Sequence, residues 1–218
     1  MDPICKIIWI LRPSNSILVV ARQALPNKLR LVVLKLLKSN QIQVKLWVCE
    51  ILSALQHLHD RDPVIMHRDL KPANIVLSRD QKHLKLIDFG LAKCFERIER
   101  DDDAHTHLVR VHTMNIGSPC YMAPEVVTSC IAGAAEYTEK ADIYSAALII
   151  WYLLTGQKPR RRAKPTDRPD VKPARRRWAE LSDVVERMWA GEAEARPSAG
   201  ECLEAVDVLE VQAPSCSW

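Results

Sequence analysis

The first 89 residues of this 218-residue chain contain no glycine; all six glycines lie at or after Gly90. No glutamate precedes Glu50. A glycine-rich phosphate loop therefore cannot form within residues 1–89. Seven cysteines stand at 5, 49, 94, 120, 130, 202 and 216, with no C-x-x-C among them. An odd count in a chain of this length speaks against a disulfide framework or a zinc site and for reduced thiols in an intracellular compartment. No apolar run approaches the roughly 20 residues that cross a bilayer; the longest, residues 143–154, fits a buried helix. Asp2, Lys6 and Arg12 interrupt the apolar N-terminus, so no targeting segment is read there. There is no internal repeat. The net charge is +4, too weak alone to argue nucleic-acid binding. What is there is 48% hydrophobic and 27% charged residues, the balance of a soluble globular chain with one sizeable core.

Residues 16–20 are β-branched and apolar, and read as a strand. Residues 29–37 read as a helix. Val44, Val48, Ile51, Leu55 and Leu58 recur at helical spacing, and residues 60–63 stop that helix because the residue before a proline disfavours helical dihedrals. Residues 74–77 and 84–87 read as two strands of a hairpin turned at 78–81. Residues 88–120 are long and irregular, with an acidic knot at Asp101, Asp102 and Asp103. Residues 141–154 are apolar on all sides, the pattern of a central core helix, and Gly156 follows as its left-handed cap. Residues 157–177 carry ten Lys or Arg and four prolines, and read as a surface loop. Helices over 180–190 and 199–210 close the chain, the second opened by Ser198 and Glu201 at capping-box spacing. The fold class is mainly α with short β hairpins, α+β.

Chemistry concentrates in His67-Arg68-Asp69-Leu70-Lys71-Pro72-Ala73-Asn74, then Asp88-Phe89-Gly90, then Ala123-Pro124-Glu125. Each tripeptide alone is weak, since such runs are ordinarily solvated loops or turns. Their joint order and spacing are those of H-R-D-L-x-x-x-N, D-F-G and A-P-E, and on them the chain, from about residue 16 to 210, resembles the eukaryotic protein kinases. The resemblance implies a kinase-like large lobe at residues 25–210, with a catalytic loop at 67–74 and an activation segment at 88–125. Residues 1–24 would be a small-lobe remnant and hinge, and 211–218 a tail. It implies that Asp69 orients or accepts the proton of a substrate hydroxyl, and that Lys71 sets a positive charge on the transferring phosphate. Lys71, Asn74, Val76 and Asp88 would bind ATP, and Asn74 and Asp88 would hold Mg2+, a hard cation that takes oxygen ligands. Lysine in D-L-K-P looks like the serine/threonine class. Gly90 would let the backbone turn after Asp88.

The resemblance extends to Glu125 and Arg196 as a buried ion pair, to Asp142 as the residue steadying the catalytic loop, and to Ser118 as a hydroxyl touching that loop. Arg68 would meet a phosphate on the 88–125 segment, with Thr106, Thr113 and Ser118 as acceptors and Thr113 favoured for an activating kinase. Val20 is placed as gatekeeper, with residues 21–24 beside adenine and Val76 beneath it. The family's G-x-G-x-x-G loop, strand lysine and helix glutamate have no counterpart here. Only 31 residues separate Lys35 from His67, too few for the intervening elements. The expectation is a serine/threonine protein kinase acting on protein hydroxyls, impaired in transfer, with a pseudokinase-like scaffold or a truncated fragment as alternatives. The location expected is cytoplasmic, with neither nucleic acid nor membrane as partner. The basic stretch 158–177 is read as a solvated loop, or else as a nuclear signal or acidic-partner patch.

Overall fold

A computed structural model describes residues 7–11, 17–21, 41–78, 82–95, 109–111, 118–132, 135–160, 164 and 167–211. Its centre is a helix, α3 (Lys140–Thr155), in which every residue from Ala141 to Leu154 is buried. A helix apolar all round has no face to give to solvent, so the others wrap it. α1 (Gln41–His59) lays Val44, Val48, Ile51, Leu55 and Leu58 against α3 and against α6 (Ala199–Asp207). α4 (Lys172–Arg177) and α5 (Ala179–Met188) pack on α3 from another side, with Trp178, Leu181, Val184 and Val185 buried between them. α2 (Pro124–Ala132) is the remaining α-helix among the described residues.

Among the described residues the strands form four two-stranded antiparallel sheets. β1 (Ile7–Leu11) pairs with β2 (Ile17–Ala21) in the register Ile7 to Ala21. β3 (Val64–Met66) pairs with β6 (Lys93–Phe95), and β4 (Ile75–Leu77) with β5 (Leu84–Leu86). β7 (Val109–Val111) pairs with β8 (Ala135–Tyr137). The β4–β5 hairpin lies on α1, where the Trp47 indole N–H donates to the Lys82 carbonyl at 3.1 Å and Glu50 accepts from the Leu84 amide at 2.6 Å. β1 runs beside β5 and the 3-10 turn Phe89–Leu91.

Three expectations need correction. Residues 157–177 are not loop throughout, because 172–177 form α4. Pro173 is tolerated in its first turn, and burial of Ala174 and Trp178 holds the segment helical against its prolines and charge. The last helix ends at Asp207, where Val208 and Leu209 close a turn on Glu204 and Val206 carbonyls. Sequence reading also missed β1, β3, β6, β7 and β8, four of which are only three residues long and are defined by pairing with a distant partner. By contrast α1, α3, the β4–β5 hairpin, the Gly156 cap at φ 70° and the Ser198–Glu201 capping box stand where the pattern places them. The helix expected at 29–37, the hinge positions 22–24, the knot at 101–103, and Thr106 and Thr113 lie outside the described residues.

Candidate active site

The stretch after β3 cannot be a helix. Arg68 has φ 67°, in the left-handed region that a non-glycine residue enters only under constraint. The constraint is Asp142 on α3. One of its oxygens accepts from the His67 amide at 2.8 Å, and the other from the Arg68 amide at 2.9 Å. His59, at the end of α1, stands with Nε2 3.1 Å from the same carboxylate. Burial alone would raise the Asp142 pKa. The His59 hydrogen bond and charge, with His67 and the Arg68 amide, outweigh it and hold the carboxyl below the ordinary range.

This clamp sets the next residues. Asp69, buried, meets Lys71 Nζ at 2.5 Å through Oδ2. Asn74, at the end of the 3-10 turn Pro72–Asn74, donates from Nδ2 to the Asp69 carbonyl at 2.8 Å and to Asp69 Oδ2 at 3.0 Å. Ser118 Oγ reaches Asp69 Oδ1 at 3.4 Å. The Asp88 turn is tied to this loop by two bonds: the Ile87 amide donates to the Asn74 carbonyl at 2.8 Å, and His67 Nε2 donates to the Ile87 carbonyl at 3.1 Å. His67 Nδ1 accepts from the Asp69 amide at 3.4 Å. The ring meets Phe89, ring centroids 5.0 Å apart.

The left-handed residue at the Asp88 turn is Asp88 itself, at φ 67°, and not Gly90. Gly90 matters by its size. A Cβ there would lie 3.2 Å from Asp88 Oδ1. The close approach of this backbone to the Asp88 carboxylate, together with an Asn74 side chain whose nitrogen is already committed to Asp69, leaves the Asp88 carboxylate and the Asn74 amide oxygen as donors of the type a hard divalent cation prefers. The residues therefore fit Mg2+. Val76, two residues beyond Asn74, sits half-buried in β4 opposite Lys85.

Beside Asp69 a small pocket of about 20 Å3 is lined by Arg68, Ser118, Met122, Val126, Asp142 and Ser145 among others. Its far wall is held by Ser145 Oγ, which donates to the Tyr121 carbonyl at 2.8 Å. Glu125 at the start of α2 grips the fully buried Arg196 through both oxygens, at 2.6 and 2.8 Å. Sequence reading missed His59 and Ser145. The only signal was a polar residue inside an otherwise apolar helical stripe.

The chain matches a family model described as protein kinase domain over residues 2–206. It is 32% identical over 191 residues to seven transmembrane domain-containing tyrosine-protein kinase 1 of Dictyostelium discoideum, covering 82% of this chain and 25% of that protein. Mitogen-activated protein kinase kinase kinase mom-4 of Caenorhabditis elegans is 31% identical over 179 residues, 78% of this chain and 30% of that one. Probable serine/threonine-protein kinase WNK5 of Oryza sativa subsp. japonica is 32% identical over 169 residues, 73% of this chain and 46% of that one. The chain thus spans less than half the length of each of these relatives.

Proposed function

The chain belongs to the protein kinase family, and from that premise we propose that it is of the serine/threonine type, that Asp69 is its base, and that its transfer step is impaired. The observation that carries this is the cluster at Asp69: a buried carboxylate with a lysine ammonium on one oxygen and a hydroxyl on the other, beside a small pocket. A serine or threonine hydroxyl entering that pocket gives its proton to Asp69 as its oxygen forms the bond to the γ-phosphorus of ATP and the bond to the ADP oxygen breaks. Lys71 neutralises charge on the transferring group. Asn74 and Asp88 would hold Mg2+, which when bound supplies neutralisation of phosphate charge. Val76 is proposed beneath the adenine, and Thr113 as the residue an activating kinase modifies. A lysine two residues after the base supports the serine/threonine type, as does the name of one of the three relatives, while another is named a tyrosine-protein kinase.

Impairment follows from what these residues lack. Residues 1–89 hold no glycine and residues 1–49 no glutamate, so these residues supply neither a glycine-rich phosphate loop nor a glutamate to pair with a strand lysine, and impairment is proposed for them on that ground. The same lack supports a second reading, a scaffold that presents the large lobe to partners.

Radiolabelled ATP with Mg2+, the purified chain, and serine-, threonine- and tyrosine-bearing peptides test the proposal. The expected result is slow label on serine or threonine, abolished in Asp69→Asn. Turnover within about 1–100 s−1, the family range, overturns the impairment, and label on tyrosine overturns the acceptor class. A thermal-shift titration separates the readings, because bound nucleotide raises the melting temperature by mass action. No shift at millimolar Mg-ATP, with no transfer, leaves the scaffold.

A further inference from the structure

Charge is distributed very unevenly along this chain. Ten of its 31 Lys and Arg but only two of its 27 Asp and Glu fall within residues 157–177, so that stretch carries +8 while all other residues together carry −4. The molecule is therefore an acidic body bearing one basic segment. That asymmetry marks an electrostatic interaction surface more directly than the modest net charge of +4 does.

The described part of the segment is built onto the core at several points. Trp151 of α3 donates its indole N–H to the Asp170 carbonyl at 2.9 Å. Arg168 stacks over the Tyr144 ring at 4.9 Å and donates to the Trp189 carbonyl at 2.8 Å. Ala174 and Trp178 are buried. Two of the arginines are thereby accounted for within the fold: Arg168 by this stack, and Arg175 by ion pairs to Asp183 and Glu186, both at 2.6 Å. Lys158, Arg160, Lys172 and Arg176 are different. All four are exposed, and no ion pair among the described residues engages them.

We propose that the described, exposed cations of this stretch, Lys158, Arg160, Lys172 and Arg176, dock a carboxylate-rich polypeptide segment of a substrate or partner. Their exposed charges act on an acidic chain within the roughly 8 Å over which physiological salt leaves attraction effective. Two other polyanions fit the surface less well. The aromatic residues of the region, Trp151, Trp178 and Trp189, are buried, so no ring is presented for stacking on a single-stranded nucleic acid. α4 buries its Ala174 in the core and turns Lys172, Arg175 and Arg176 outward, which leaves no apolar face to enter a lipid headgroup layer. Four prolines and two aspartates interrupt the cations, so the segment is no continuous basic tract laid along a phosphate backbone. The proposal does not depend on phosphoryl transfer or on its acceptor class.

Fluorescence anisotropy on the whole chain tests it. The probes are a labelled twelve-residue peptide with eight Asp or Glu, its Asn/Gln counterpart, a labelled duplex DNA, and vesicles containing one-third phosphatidylserine. The acidic peptide is expected to bind, its counterpart not to, and the affinity to weaken as salt is raised. Lys158→Glu, Arg160→Glu, Lys172→Glu and Arg176→Glu combined should lower the peptide affinity at least tenfold, with helix circular dichroism unchanged because all four side chains are exposed. Lys158→Gln and Arg176→Gln together, a milder change, should lower it severalfold and guard against misfolding of the quadruple variant. Equal peptide binding by the variants, equal binding of the neutral peptide, or tighter binding of the DNA or the vesicles would each overturn the proposal. Mg-ATP thermal shifts on the same variants should match the parent, which separates loss of docking from loss of the nucleotide site.

Discussion

Asp142 commits both carboxylate oxygens to two consecutive backbone amides and shares one with His59. Asparagine at 142 turns one acceptor into a donor facing an amide, so Asp142→Asn should lower stability at pH 7 by about 3–5 kcal/mol, the scale of leaving a buried polar partner uncompensated. The pH dependence has a defined sign. The folded carboxyl is depressed, so its contribution is present above the unfolded value near 3.8 and is lost as pH falls through the folded one. Urea midpoints of parent and variant should therefore converge as pH drops below about 4. Gly90→Ala probes a different kind of constraint. Its Cβ displaces Asp88 Oδ1, so the Mg-ATP thermal shift should shrink while the ligand-free melting point barely moves. Cysteines divide by burial: Cys94 is exposed, whereas burial pushes the Cys202 thiol up to about 12. Iodoacetamide at pH 8 should label Cys94 in the native chain and Cys202 only after unfolding, as peptide mass mapping will read. At this scale the sequence disclosed residue types but not conformations. Asp69, Lys71 and Asn74 were visible as candidates, yet the left-handed turn at Asp88 was assigned to Gly90, because the backbone there is dictated by Ile87's bonds to Asn74 and His67, which no local rule reports.

Helices were legible where local signal and tertiary demand agree. Ser198 caps α6 by accepting from the Glu201 amide at 3.2 Å while Glu201 accepts from the Ser198 amide at 2.7 Å. Ser198→Ala should cost about 1 kcal/mol, read as a melting point about 2–4 °C lower. α4 shows the opposite case. Its sequence, Lys172-Pro173-Ala174-Arg175-Arg176-Arg177, has the proline and charge of a loop, and only the docking of Ala174 and Trp178 makes it helical. The short strands were illegible for a related reason. β3 and β6 are three residues each, and neither has enough alternation to declare itself before the chain brings Val64 opposite Phe95.

The whole molecule is closed by contacts between residues far apart in the chain. Arg196 lies 71 residues from Glu125, is fully buried, and also donates to the Lys140 and Gly191 carbonyls at 3.0 and 3.1 Å. Its guanidinium stacks on Tyr144 at 5.0 Å, on the ring that also carries Arg168. Glu125→Ala removes the only carboxylate bound to this buried cation among the described residues. It should cost about 3–5 kcal/mol and lower the melting point by about 10 °C. The pairing was anticipated from resemblance, but the Tyr144 stack was not, since nothing in an apolar helical run says which ring will face a guanidinium.

α3 supplies a last consequence. Fourteen consecutive residues of one helix are buried, none more than 8% exposed, so their amides are expected to exchange with deuterium chiefly through global unfolding. In a native-state exchange experiment these protons should form the slowest class, with rates that report the stability of the entire fold. Perturbations at the β1–β2 hairpin should then exchange earlier and leave that class untouched, making α3 an internal clock against which each variant above can be timed.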